Sequence, residues 1–300
     1  MWRQSVVASP GASEQAAGSW PGYYNSLTLF SPARYSSLPG MPFGGDPDRY
    51  PHRDEVVTYL LRYADRLDAD IRTRTRVREV HTGNGAFTLE LEDGGRLSAR
   101  AVVAASGTFG RPHQPDLPGL DTFTGQLLHA ADYRSPDPFA GHRVVIVGAG
   151  NSAVQIAPEL AERARVALAA RHPVRFARRR ILGRDLHWWL ARTGADTLPI
   201  GRFLRTSPTQ LVIDDGRYRA AVAAGAPDRR PVFTRIDGAK VTWTDGATED
   251  VDAILLATGY RPGPRHSSST CVNIDACRTR RCCPCWSPRS PRRWCRAVRR

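Results

Sequence analysis

Three short apolar runs punctuate the chain, and each stops just before a glycine. Residues 101–105 precede Ser106-Gly107, 144–147 precede Gly148, and 253–257 precede Thr258-Gly259. Runs of four or five apolar residues are too short for a buried helix and read as strands covered on both faces, the habit of parallel sheets. Residues 151–163 follow the second run at helical spacing, and 165–170 supply another strand. Upstream, residues 54–67 place Val57, Leu60, Leu61, Ala64 and Leu67 on one helical face. Alternation predicts a meander of 75–80, 86–91 and 97–100, joined by Gly83-Asn84-Gly85 and Asp93-Gly94-Gly95. It also predicts a hairpin of 241–243 and 249–251 around Asp245-Gly246. Residues 183–195 read as a helix in which Leu186, Trp188, Trp189 and Leu190 pack and His187 is structural. In the first 19 residues only 5–8 carry a strand pattern. Residues 18–32 hold Trp20, Tyr23, Tyr24 and Phe30 among Gly, Pro and Ser, so they read as an ordered loop tucked onto the core in preference to a pocket floor.

A chain of 300 residues with 41% hydrophobic and 24% charged content is expected to form two globular domains. No apolar run nears the roughly 20 residues of a membrane span, and the first residues lack a secretory signal. The expected setting is cytoplasmic, with no membrane partner. The net charge of +14 would suggest a nucleic-acid partner, but its distribution argues against one. Residues 265–300 hold ten arginines against Asp275 alone, together with all six cysteines (Cys271, Cys277, Cys282, Cys283, Cys285 and Cys295). Such a tail is expected to be disordered and to be a frameshifted or misannotated end, ahead of a zinc or RNA-binding reading. Its C-x-x-C lacks the second spaced pair that zinc demands, and no metal site is expected.

The run Val144–Val147 leads into Gly148-Ala149-Gly150-Asn151-Ser152-Ala153, a G-x-G-x-x-A between strand and helix. An ordinary glycine-rich turn is one reading of it. The other is a dinucleotide fingerprint, in which Gly148 allows the turn, Gly150 admits a pyrophosphate to the helix N-terminus, and Ala153 packs on the strand. Arg171 follows the next strand, about 20 residues on. There an acid would bind the NAD 2′-hydroxyl, and arginine suits the NADP 2′-phosphate. Phosphate binding is the favoured reading for Arg171; Arg175, Arg178, Arg179 and Arg180 are left as a solvated cluster.

Four stretches together resemble the class B flavin monooxygenases and their flavin-containing oxidoreductase relatives, over about residues 18 to 262. The sharpest is the run Phe123, Gly125, His129, Tyr133, which matches F-x-G-x-x-x-H-x-x-x-Y without a mismatch. The others are Gly18-Ser19-Trp20, the Ser106-Gly107 and Thr258-Gly259 strand ends, and the G-x-G-x-x-A itself. The resemblance is closest to small bacterial FAD/NADP oxidoreductases associated with cation-efflux loci. It implies an α/β fold of two Rossmann-like dinucleotide-binding domains, the first incomplete. An FAD domain of 1–141, completed by 251–264, would carry an inserted NADPH domain of 142–250. It also implies a flavoprotein that consumes NADPH, activates O₂ at the flavin C4a position and oxygenates a small organic substrate. Carried over, Gly148, Gly150, Asn151 and Ser152 hold the NADPH pyrophosphate and Arg171 its 2′-phosphate. Trp20, Thr258 and Gly259 face FAD, and Phe123, Gly125, His129 and Tyr133 form a linker between domains.

The chain departs from the family in three places. About 30 residues of the usual start, with the FAD G-x-G-x-x-G, are expected to be lost or replaced. After Arg261-Pro262 the family's closing elements give way to the basic tail. In the Tyr-x-Ser-x-x-x-Asn loop, Tyr24 and Ser26 keep register but Phe30 stands where the asparagine would be, so amine N-oxygenation is not expected. The rival readings are a non-catalytic NADP-binding remnant and a nucleic-acid binder acting through its tail. A disulfide reductase is disfavoured because residues 1–264 contain no cysteine.

Overall fold

The computed structural model describes residues 14–83, 85–103, 105, 107, 109–194, 211–214 and 216–261, and the backbone of 4–7. Asn84, Ser106, Ala195, residues 262–264 and the tail from 265 lie outside the described residues. The chain divides into two compact units. The first comprises Met1–Gly18, Ala64–Arg111 and Arg261–Arg300, and the second Ser19–Tyr63 and Pro112–Tyr260.

In the first unit β1 (Gln4–Val7) runs parallel to β2 (Ala69–Arg72). The expected meander forms as β3 (Val77–Gly83), β4 (Ala86–Leu91) and β5 (Arg96–Ala99). Its central strand buries Phe87, Leu89 and Leu91, every second residue. The expected strand at 101–105 does not form among the described residues, and Val103 is 80% exposed. An apolar run becomes a buried strand only where neighbours satisfy its N–H and C=O groups, and no described strand pairs with this one.

The second unit begins with its loops and α1 (Arg53–Ala64). The helix ends before Leu67, which is exposed, and its buried residues are Val56 and Tyr59, not the expected Val57, Leu60, Leu61 and Ala64, which are half-buried. Tyr59 draws the helix inward. Its hydroxyl accepts from Leu38 N–H and donates to Met41 C=O, both at 2.6 Å, while Phe43 stacks on its ring.

The framework of this unit is a five-stranded sheet. Its strands are β6 (Gln126–His129), β7 (Arg143–Val147), β8 (Arg165–Ala170), β13 (Asp228–Pro231) and β17 (Ala253–Leu256), in the order β13-β8-β7-β17-β6, and every pairing is parallel. Between β8 and β13 come β9 (Phe176–Arg178), β10 (Arg180–Ile181), β11 (Arg184–Asp185), α3 (Leu186–Thr193), β12 (Val212–Asp214) and α4 (Arg217–Ala223). The expected helix at 183–195 is thus shortened at its start by β11. After β13, the strands β14 (Arg235–Asp237), β15 (Lys240–Thr242) and β16 (Thr248–Asp250) form an antiparallel sheet.

Period-two packing assigns the two faces of the framework sheet. Val144, Ile146, Val166, Leu168, Ala253 and Leu255 pack against Ala153, Ile156, Ala157 and Leu160 of α2 (Asn151–Ala161). Val145, Val147, Ala167, Ala169, Ile254 and Leu256 pack against Phe233, Ile236, Val241, Trp243 and Val251 of the antiparallel sheet. The framework sheet and the antiparallel sheet are tied together at the amino end of β7. Arg143 forks onto Glu249 with two 2.8 Å bonds, and Trp243 Nε1 donates to the same carboxylate at 2.8 Å.

β17 lies between β7 and β6, inside the sheet that carries the glycine turn, so residues 126–129 and 253–256 belong with 143–170. An apolar run reveals that a strand is buried but not which ladder accepts it. Because Leu255 is fully buried between β7 and β6 and under α2, Leu255→Ala is expected to cost about 2–5 kcal/mol of unfolding free energy. Urea denaturation checks this; a loss below about 1 kcal/mol would place the side chain outside a close-packed core.

Candidate functional site

The site is the edge at which the parallel strands end. Gly148 follows β7 with φ +147°, a conformation that disfavours any side chain, and a Cβ there would sit 2.3 Å from the Ala257 carbonyl oxygen. Its N–H donates to Ala169 C=O at 2.9 Å, while Ala257 N–H donates to Val147 C=O at 2.9 Å. The turn is therefore clamped between β8 and β17. Gly150 is the N-cap of α2 with extended geometry, and no side chain caps the helix. The first-turn N–H groups, with roughly half a positive charge from the helix dipole, face the same edge. Ala153 is fully buried against the sheet, so a larger residue would lift the helix off β7. Arg171 is exposed, one residue past the end of β8 and two beyond Ala169. These features fit a dinucleotide phosphate: a turn with glycine at 148 and 150, uncapped amides and a guanidinium just past the end of the next strand.

The expected FAD residues behave differently. Thr258 Oγ1 donates to the His113 carbonyl, and Gly259 C=O accepts from His113 N–H at 2.9 Å and from His129 Nε2 at 3.0 Å. Trp20 opens a 3₁₀ turn and lies edge-on to Tyr23, 5.4 Å away. The aromatic loop is tucked onto α2, as expected. Tyr24 donates to Gln155 Oε1, Ser26 donates to Glu159 Oε2 at 2.7 Å, and Asn25 N–H donates to Arg134 C=O at 2.8 Å. Thr258, Gly259 and Trp20 are thus held by contacts with His113, His129 and Tyr23.

The F-x-G-x-x-x-H-x-x-x-Y run spans the edge strand β6 and its flanks. Phe123 and Gly125 lie at the amino end. There a Cβ on Gly125 would meet Asp252 O and the Phe123 ring, each at 2.5 Å. Tyr133, after the strand, is buried between Tyr24 and Phe139. His129 ends β6 and faces the site. Ala131 N–H points at Nδ1 (3.0 Å), which must accept, so the proton sits on Nε2 and is donated to Gly259. The ring packs edge-on against Tyr260 at 5.1 Å. Burial lowers its pKa, outweighing the Gly259 hydrogen bond and Asp132, which raise it.

The edge thus gathers Gly148, Gly150, Asn151, Ser152, Arg171, His129, Thr258 and Gly259, and it does not include Phe123, Gly125 or Tyr133. Sequence reasoning missed His113, Tyr260 and Gln155, which join the network through contacts more than 100 residues apart with no local signature, or with only a neighbouring glycine as a hint.

Residues 13–190 match the family model described as pyridine nucleotide-disulphide oxidoreductase. Among relatives, a CzcO-like oxidoreductase of Geobacillus kaustophilus (strain HTA426) is 30% identical over 261 residues, covering 85% of this chain and 74% of the relative. The indole-3-pyruvate monooxygenase YUCCA1 of Oryza sativa subsp. japonica is 30% identical over 282 residues, covering 83% and 69%. The solved flavin-containing monooxygenase of Stenotrophomonas maltophilia superposes with a TM-score of 0.70 at 30% identity, covering 86% of this chain and 71% of that one.

Burial holds the His129 pKa below the ordinary value of 6.5 in the folded protein, whereas an unfolded chain protonates it near that value. The unfolded state therefore binds more protons as pH falls, so this contribution is fully present above about 6.5 and declines below it. Between pH 7.5 and 5.5 the melting temperature is expected to fall, and His129→Gln is expected to flatten that slope. Thermal melts of both proteins across the range check the sign; a slope unchanged by the substitution would assign it to another group.

Proposed function

This chain belongs to the pyridine nucleotide-disulphide oxidoreductase family, on its flavin monooxygenase branch with FAD and NADPH as cofactors, and from that premise we propose how its own residues serve the reaction. NADPH lies across the carboxyl edge of the β7 sheet. The backbone amides of Gly150, Asn151 and Ser152 hold its pyrophosphate, and Gly148 lets the turn that presents them pack against Ala257. Arg171 takes the 2′-phosphate. When bound, NADPH supplies a hydride and FAD the oxygen chemistry. The protein's share is binding, orientation and the exclusion of water. His129, with its proton held on Nε2, ties β6 to Gly259 and so keeps the Thr258-Gly259 turn in one conformation beside the cradle. It acts as a positioning residue and transfers no proton.

The substrate is a small organic molecule oxygenated with O₂. The replacement of the loop asparagine by Phe30 favours a carbon or sulfur centre over an amine nitrogen. No nucleic-acid partner is part of this reading, and the setting is cytoplasmic; no helix among the described residues is long and apolar enough to cross a membrane.

The observation that carries the reading is the close approach of Gly148 to Ala257 with an uncapped α2 beside it. Fluorescence titration with NADPH and NADH tests it. Arg171→Gln is expected to weaken NADPH about tenfold or more, in line with the roughly 1.5–3 kcal/mol of a charged hydrogen bond, and to leave NADH within about twofold. Equal losses for both coenzymes would remove Arg171 from the 2′-phosphate, and a Gly148→Ala variant that binds NADPH normally would remove the coenzyme from this edge.

A further inference from the structure

We infer that the tip formed by the β10–β11 hairpin and α3 is a docking surface for an anionic lipid bilayer. The hairpin turns through Leu182 and Gly183, at φ +49° and +74°, between the paired residues Ile181 and Arg184. Positive φ at both central residues is the type I′ pattern, which asparagine or aspartate followed by glycine normally fills. A leucine is strained there, and its side chain stands in solvent, 86% exposed. Ile181 beside it is 43% exposed. Asparagine would suit the turn better, so the turn does not account for the leucine, and a strained residue with no packing role points to a contact outside the fold.

The helix behind the tip extends the apolar surface. α3 carries Leu186, Trp188, Trp189 and Leu190, yet none of its residues is buried. Hairpin and helix are joined: Trp189 Nε1 donates to Ile181 C=O at 2.9 Å, Trp188 lies edge-on to Trp189 at 4.8 Å, and Arg184 Cζ sits 5.4 Å over the Trp188 ring. The single acid among residues 180–193 is Asp185, and it is tied into the protein. It accepts from the Tyr50 hydroxyl and, at 2.7 Å, from His187 N–H. Arg180, Arg184 and Arg192 are exposed and form no ion pair with a described residue. An aliphatic tip, tryptophans behind it and arginines flanking it match the three layers of a bilayer surface: acyl chains, the boundary where tryptophan concentrates, and anionic headgroups. The contact is peripheral, since the eight residues of α3 fall well short of the roughly 20 of a membrane span. A second copy of this chain fits less well, because the same arginines would then face each other. A nucleic-acid strand would leave the aliphatic tip unmatched. The inference does not depend on coenzyme binding at Gly148–Ser152.

Co-sedimentation of the full chain with lipid vesicles tests the inference, using phosphatidylcholine alone and an equimolar mixture with phosphatidylglycerol. Binding to the mixed vesicles is expected to be about tenfold tighter or more. Leu182→Asn, which suits the turn, is expected to keep or raise the melting temperature. It is expected to weaken binding to the mixed vesicles about tenfold, as withdrawal of one leucine side chain from an apolar phase implies. Leu182→Phe is expected to bind as the parent does. Arg184→Gln and Arg192→Gln are each expected to weaken binding about fivefold, the usual effect of one basic residue at an anionic surface. The ten arginines of residues 265–300 are present in every variant. A Leu182→Asn protein that binds mixed vesicles like the parent therefore assigns the binding elsewhere and overturns the inference. So does an absence of vesicle binding, or equal binding to the two compositions. A dimer in sedimentation velocity that Leu182→Asn dissolves, with no vesicle binding, would give the tip to a second copy and overturn it as well.

Discussion

Everything at the edge depends on how closely two backbones approach where β7 and β17 end. The Ala257 carbonyl occupies the space in which any Gly148 side chain would stand, and the ladder bonds on either side of Gly148 prevent the turn from sliding away. This contact sets where α2 begins, and thereby where its first amides point. It is also a constraint without slack, since a packed sheet resists local displacement.

The two covers of the framework sheet divide the labour. On one face α2 brings small residues, Ala153 and Ala157, so that helix and sheet approach closely and the helix start stays level with the strand ends. On the other, the bulkier Phe233 and Trp243 of the antiparallel sheet fill the space, and Arg143–Glu249 ties that layer to the first residue of β7. The amino edge thus holds the tight packing at Gly125 and the Arg143 ion pair, and the carboxyl edge the glycine turn and the uncapped start of α2. β6 runs between the two, which explains how one sequence signature contains both a steric requirement (Gly125) and a hydrogen-bonding one (His129).

Much of this was legible in the residues. The strand at 143–147, the helix that follows it, the next strand and the fingerprint between them were readable because strand, turn and helix are consecutive and each obeys a local period. The meander at 77–99 was readable from alternation and paired glycines. What local pattern did not contain was partnership. The runs at 101–105 and 253–257 look alike, yet one lies in no described strand and the other is the second most central strand of the sheet. The burial of Tyr59 had no local signal, because the two backbone partners of its hydroxyl lie about 20 residues upstream. Arg179 looked like solvated charge because Tyr50, the ring it lies over, comes from a distant segment.

The position of β17 has a consequence for how this protein comes into being. Its ladder partner Val144 precedes Ala253 by more than 100 residues, and β6 comes earlier still. During synthesis, β6 and β7 emerge with an empty lane between them, and no arrangement of the preceding chain fills it with the right strand. The lane closes only once residue 256 has left the ribosome, so the Gly148 turn acquires its shape in a late, long-range event, with the loop-closure entropy and slow non-local pairing that such topologies carry. Until then two strand edges stand open, and that interval is when the nascent protein is most exposed to mispairing with its neighbours.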